Sequence, residues 1–185
     1  MHLTILWEGA HHREAILAIL RASPQRIRLT TLNLHDFDLD GGIKFSEKIV
    51  RMVNRGVKVT IVIGCNPFDM ARQARKKPVY QKYLKSLKKI VDTNRVNAYH
   101  HTRIHAKVLF AEAEDSASAI VTSANFTPTG LSAGLKGNRE VGCHLSDLDE
   151  KSKSALKEAT REMIELARRN PLKRDLDQIL TEGGM

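Results

Sequence analysis

Apolar positions recur along most of the chain with a period near four, then with a period of two, the rhythm of helices following strands. His12 to Ala22 places Ala15, Ile16, Ile19 and Leu20 on one helical face, and Ser23-Pro24 stops that helix. Arg26 to Leu34 is rich in β-branched and aliphatic residues and predicts a strand. Phe45, Ile49, Val50 and Val53 form the next helical stripe, with Gly56 where a helix C-cap belongs. Val57 to Ile63 reads as a buried strand ended by Gly64 and Pro67. Tyr80, Tyr83, Leu84, Leu87, Ile90 and Val91 then line one side of a helix. Short strands follow over Arg95–Tyr99, Ile104–Ala111 and Ala117–Thr122, the last two joined by the acidic turn Glu112 to Ser116. Residues 151–169 carry a final amphipathic pattern. This alternation predicts an α/β domain: a mixed, largely parallel sheet flanked by helices on both faces. The domain is expected over 1–169, with 170–185 a polar C-terminal tail of no assigned role.

Composition narrows the class. A chain of 185 residues, 42% apolar and 28% charged, can bury a sizeable core and does not read as disordered. Its first residues lack the basic start and long apolar stretch of a secretory signal, and no run has the length of a membrane span, so a cytoplasmic protein is expected. Cys65 and Cys143 each lie among apolar strand residues and read as reduced core thiols. Trp7 and the tyrosines are expected in the core, with stacking on nucleic-acid bases as the alternative, and His11 and His12 at the surface or as caps.

The net charge of +9 is unevenly placed. From Met70 to Lys107 there are eleven Lys/Arg and one acid, Asp92, so that window holds +10 and the rest of the chain about −1. A basic block beside a candidate site points to a polyanionic partner, nucleic acid first among them. Lys82, Lys85, Lys88, Lys89 and Arg103 are its candidate contacts.

The chemistry concentrates in HAKVLFAEAEDSASAIVTSANFTPTGLSAGLKGNREVG. His105 and Lys107 are two apart on an expected strand, which turns both side chains to one face. An imidazole beside a fixed cation suits attack on a phosphodiester, because the cation offsets charge building on the phosphoryl oxygens. Ser123 and Asn125 repeat that spacing at the end of the next strand and can bind the non-bridging oxygens. Glu140 can hold the far nitrogen of a histidine and fix its tautomer. Asn138 suits a turn or a supporting contact, and His100 and His101 suit either substrate contact or a structural place.

These residues resemble the signature of the phospholipase D superfamily: His-x-Lys, then Asp, then Gly-Ser-x-Asn. The likeness continues through SANFTPTGL and a later Asn-x-Glu, here Asn138-Arg139-Glu140, and covers about residues 10 to 165. Two positions depart from it. Thr122 stands where the family has Gly, and Asp115 keeps the family's distance to Ser123 while lying further from Lys107. Glu112, at the usual distance from Lys107, is the rival for that structural acid. The resemblance implies the phospholipase D-like fold with one motif copy per chain. It implies a phosphohistidine mechanism that needs two histidines, hence a homodimer with two copies of His105 at a shared site. Single-motif relatives are typically nucleases, and neither cofactor nor metal is required by that mechanism.

A second motif, DFDLDGGIKFSE over 36–47, spells a calcium loop in which Asp36, Asp38, Asp40 and Glu47 would be ligands and Gly41 the sharp turn. The bland reading is a strand-to-helix loop with its acids near a helix N-terminus. The function expected is a metal-independent phosphodiesterase, a nuclease acting on DNA or RNA, without a membrane partner. The alternatives are a phosphatidyl transferase or lipase of the same superfamily, and a non-catalytic nucleic-acid-binding module.

Overall fold

The computed structural model describes residues 1–93, 95–132 and 138–182. Its elements run β1 (His2–Leu6), α1 (Gly9–Arg21), β2 (Arg26–Thr31), β3 (Asp38–Asp40), β4 (Ile43–Lys44), α2 (Phe45–Asn54), β5 (Lys58–Ile63), α3 (Pro67–Ala74), α4 (Pro78–Val91), β6 (Val96–His100), β7 (Lys107–Glu112), β8 (Ala117–Thr122), β9 (Gly142–Ser146), α5 (Glu150–Ala167) and α6 (Leu172–Glu182). Seven strands join in the order β1-β9-β8-β7-β2-β5-β6, and β3 pairs with β4 as a separate hairpin. β2, β5 and β6 run parallel, while β7 and β9 run against their neighbours. The mixed sheet with helices on both faces is the architecture expected from the sequence.

Period two divides the sheet residues between two faces. On one face Ile27, Leu29, Ile61, Ile63, Leu109 and Ile120 pack against Ile16 and Ile19 of α1, Ile49 and Val53 of α2, and Leu84 and Leu87 of α4. On the other, α5 covers Val108, Phe110 and Val62 through Leu156, Met163 and Ala167. Burial of these side chains is the main stabilising term, at about 1.5–3 kcal/mol for each large one. α6 belongs to the first core, for its Leu172 and Leu176 are fully buried there. Asp175 of α6 and His100 of β6 meet at 2.6 Å, both nearly buried, and Lys88 of α4 reaches Asp177 of α6 at 2.6 Å. The C-terminal segment is thus pinned by polar contacts as well as apolar ones.

The sheet's other edge is left open. Leu3, Ile5 and Trp7 of the β1 segment are 60%, 58% and 66% exposed, and Val141 beside them is 61% exposed. Trp7 therefore corrects the expectation of a core residue. The main contacts of α5 are with β2, β5, β6 and β7, away from this edge. Ile5, Cys143 and Val121 are register partners in one row, and Val121 is likewise exposed.

The acidic 36–47 segment forms the β3–β4 hairpin instead of an ion cage. Gly41 and Gly42 take φ of 55° and 83°, the left-handed pair that a tight hairpin turn needs. Each acid has a different partner. Asp36 accepts from Ser46 N and Oγ at 2.9 and 2.7 Å, at the start of α2. Asp38 pairs with Lys44 and Asp40 with Arg21, at 2.7 and 2.9 Å, and Glu47 faces Lys89 at 4.0 Å. The structure does not bring these four together.

Candidate active site

β2, β5, β6 and β8 all end at one pole of the sheet, and β7 begins there. β2 has a parallel neighbour on one side and an antiparallel one on the other. His105, Lys107, Ser123 and Asn125 lie at this pole.

Lys107 is the first residue of β7 and pairs in register with Thr122, the last of β8. His105 lies two residues ahead of the strand, so the strand begins later than the sequence suggested. Its lead-in is shaped by a turn in which Ile104 N donates to His101 O at 2.9 Å. That turn lies against the end of β5: a Cβ on Gly64 would stand 1.9 Å from Ile104 O. His105 is exposed and Lys107 half-buried, an imidazole open to solvent beside a partly sheltered ammonium.

Ser123 follows β8 directly. Its N–H donates to Val141 O at 2.9 Å, Val141 N donates to Ser123 Oγ at 3.1 Å, and Ser123 Oγ donates to Glu140 Oε2 at 2.5 Å. Asn138 Nδ2 donates to the other Glu140 oxygen at 3.2 Å. Glu140 is therefore held by Ser123 and Asn138, where the sequence reading had it holding a histidine. Asn125 Oδ1 accepts from Asn33 N at 3.3 Å, which ties the loop after β8 to the end of β2. The loop is wound tightly: Thr127 N donates to Asn125 O, and a Cβ on Gly130 would meet that same oxygen at 2.4 Å.

Thr122, the departure from the family's Gly, has a defined part. Ala124 N donates to its hydroxyl at 2.9 Å, which closes the turn carrying Ser123. The same hydroxyl lies 2.8 Å from Nε2 of His12, a fully buried histidine whose Nδ1 lies 2.8 Å from Glu8 O. With Nδ1–H donating to that carbonyl, Nε2 accepts the Thr122 proton, toward which Val141 O also lies at 3.2 Å. His12 is thus a core residue bracing the site loop, not the surface or capping residue expected.

The rival acids are separated by the structure. Glu112 ends β7 and accepts from Arg28 at 2.5 Å, with both side chains largely buried and Arg28 lying over the Phe110 ring. Asp115 stands exposed in the β7–β8 turn, at the pole away from His105. Glu112 takes the buried structural place. Of the basic candidates, Lys82, Lys85 and Arg103 are exposed, whereas Lys88 is paired with Asp92 and Asp177. Burial pulls the Lys88 ammonium down, and its hydrogen bonds to these two acids outweigh that, so its pKa ends above the ordinary value.

Beside the motif lies a cleft of about 350 Å³ lined by Asn33, His35, Cys65, Asn66, Tyr80 and Thr102 among others. His35 stacks on Tyr83 with ring centroids 3.6 Å apart and planes 8° from parallel. Burial lowers its pKa to about 4, so it is neutral around pH 7. Burial also raises the Cys65 thiol to about 12 and leaves it unreactive. His100, on the same strand end, is held by Asp175 and not offered to a substrate. No three acids, histidines or cysteines converge as a metal cage among the described residues. Among the same residues no helix is long and apolar enough to cross a membrane.

Known proteins share the family and the fold. The family model for the cardiolipin synthase, PLD-like domain matches residues 16–166. Phosphatidylserine synthase from Haemophilus influenzae superposes with a TM-score of 0.61 at 13% identity, over 97% of this chain and 44% of that one. Polyphosphate kinase from Porphyromonas gingivalis gives 0.54 at 11% identity, over 87% and 22%. The archaeal chromatin protein TrmBL2 gives 0.52 at 14% identity, over 90% and 54%. The chain spans about half or less of each of these proteins. No curated protein sequence matches it.

Proposed function

Since the chain belongs to the PLD-like domain family of the phospholipase D superfamily, we propose that it is a metal-independent phosphodiesterase acting on nucleic acid at a site shared by two copies. The observation that carries this reading is the meeting of His105, Lys107, Ser123 and Asn125 at one pole of the sheet, with Glu140 bonded to Ser123. One His105 attacks phosphorus through a ring nitrogen, and the P–O bond to the leaving group breaks. The partner's His105 donates its proton to the leaving oxygen and then takes one from water, whose oxygen cleaves the phosphohistidine. Lys107 and the side-chain N–H of Asn125 offset the charge on the phosphoryl oxygens, while Ser123, whose hydroxyl proton goes to Glu140, orders the loop that carries Asn125. Asn138 and Glu140 hold the Ser123 hydroxyl in place.

The open β1 edge supports a second copy. Trp7, Val141, Ile5 and Val121 make an apolar strip next to Ser123, and a contiguous exposed strip of this kind marks an interaction surface. Lys82, Lys85 and Arg103 offer exposed positive charge to a nucleic-acid backbone. The same apolar strip gives a lipid substrate its one favourable observation. The experiment sets labelled single- and double-stranded DNA, RNA and phosphatidylglycerol vesicles side by side in chelator. Cleavage of nucleic acid that disappears in His105→Ala is expected. Full cleavage by that variant refutes the mechanism, and turnover of the vesicles alone replaces the substrate.

A further inference from the structure

At the opposite pole of the sheet lies a larger open cleft of about 750 Å³. Since β2 is six residues long, this cleft stands roughly 17 Å from the motif pole, at 3.3 Å per residue. Its floor includes Leu20, Pro24, Met52 and Val57, and its walls carry seven Lys/Arg drawn from five elements and one loop. None of these seven belongs to the basic window from Met70 to Lys107.

Helix geometry explains only part of this charge. Arg21 ends α1 and Arg55 caps α2, where a cation complements the helix dipole. Arg21 also has Asp40 and Lys153 has Glu150, at 2.9 and 3.2 Å. Arg26, Lys48, Arg55, Lys58 and Lys157 form no ion pair among the described residues. Arg26 and Lys58 are direct register partners on β2 and β5, and like charges so placed repel each other. The one carboxylate in the wall, Glu112, is already held by Arg28. Charge from both helical layers and from two strand starts therefore converges over an apolar floor, relieved only in part by Asp40, Glu150 and Glu112, the register partner of Arg26 on β7.

We propose that this cleft binds a ligand bearing a chain of phosphates, of nucleoside-triphosphate size, where Arg26 and Lys58 of adjacent strands line the wall together with Lys48 of α2 and Lys157 of α5. The volume lies within the range of small-molecule sites. The phosphates neutralise the paired strand cations, and the apolar floor seats a base where one is present. The site is separate from His105 and does not depend on the reaction proposed there.

Isothermal titration calorimetry with ATP, AMP and inorganic tripolyphosphate, in chelator and low salt, tests it. ATP and tripolyphosphate are expected to bind wild type and His105→Ala equally, with AMP weaker. Lys58→Glu and Lys157→Glu should each weaken ATP by about tenfold or more. Equal affinity for ATP and tripolyphosphate assigns the binding to the phosphates alone; tighter ATP adds the base. Ligand-free melting checks the variants, and Lys58→Gln replaces either one that melts early. The proposal is overturned by the absence of saturable binding, by binding untouched in these variants, or by binding lost in His105→Ala. A short single-stranded oligonucleotide that binds far tighter than ATP and is displaced by Lys58→Glu would instead make the cleft a strand-binding surface.

Discussion

Acidification should weaken this fold through His35, by an amount the structure specifies. The ring is stacked on Tyr83, and burial holds its pKa at about 4 against 6.5 in an unfolded chain. As pH falls, the unfolded chain therefore takes up the proton first, and the native state loses ground. The stability is intact above about pH 7, declines between about 6.5 and 4, and is constant below that, as linkage requires. The full difference of 2.5 pH units is worth about 3.4 kcal/mol, and about 2 kcal/mol of it is lost by about pH 5. Because the ring keeps partial solvent access, screening reduces this to about 1–2 kcal/mol. Urea unfolding of wild type and His35→Phe at about pH 7.5 and about pH 5 isolates the term. His144, also lowered by burial, and the surface carboxylates titrate alike in both proteins and cancel in the difference. The expected outcome is a pH-induced loss about 1–2 kcal/mol smaller in His35→Phe. Equal losses in the two proteins would refute the reasoning, whatever the absolute stability of the variant.

Other consequences are as specific. Asp175→Ala leaves His100 without its partner and should cost about 1.5–3 kcal/mol, read as a fall in Tm of several degrees. Thr122→Val strands Nε2 of the buried His12 and should cost about 1–3 kcal/mol by urea denaturation, whereas Thr122→Ser, which keeps the hydroxyl, should cost markedly less. Ile5→Asp with Trp7→Ser should convert a dimer to a monomer in sedimentation velocity and abolish cleavage together; a wild type that sediments as a monomer while active would remove the shared site.

What was legible in the sequence was local. Ala117–Thr122 is bounded in the structure as its alternation predicted, and Gly56 takes the left-handed φ of 100° that a C-cap glycine needs. His105, Lys107, Ser123 and Asn125 were found together by their spacing, although only Lys107 lies on a strand and the others flank the ends of β7 and β8 at one pole. The partners that hold those residues were not legible, since they lie far away along the chain. His12 reaches Thr122 across 110 positions, and His100 reaches Asp175 across 75. No periodicity encodes such pairs. The acids of 36–47 misled because their spacing suits an ion, but Lys44 and Ser46 within the hairpin and Arg21 and Lys89 from other segments supply nearer partners. The cleft at the far pole was invisible because its cations are scattered over the chain from Arg21 to Lys157.

The close approach of Ile104 O to Gly64 bears on how this protein can vary. A methyl group at position 64 has no room unless the carbonyl of residue 104 retreats, and His105 is the next residue along. The position of the His105 imidazole is thus templated by a bare backbone at the end of β5, at a residue with no side chain of its own. In a library randomised at every position and selected for turnover, position 64 should be as intolerant as His105 itself. Selection for folding alone should spare His105, and substitutions at 64 should survive there more often than under selection for activity.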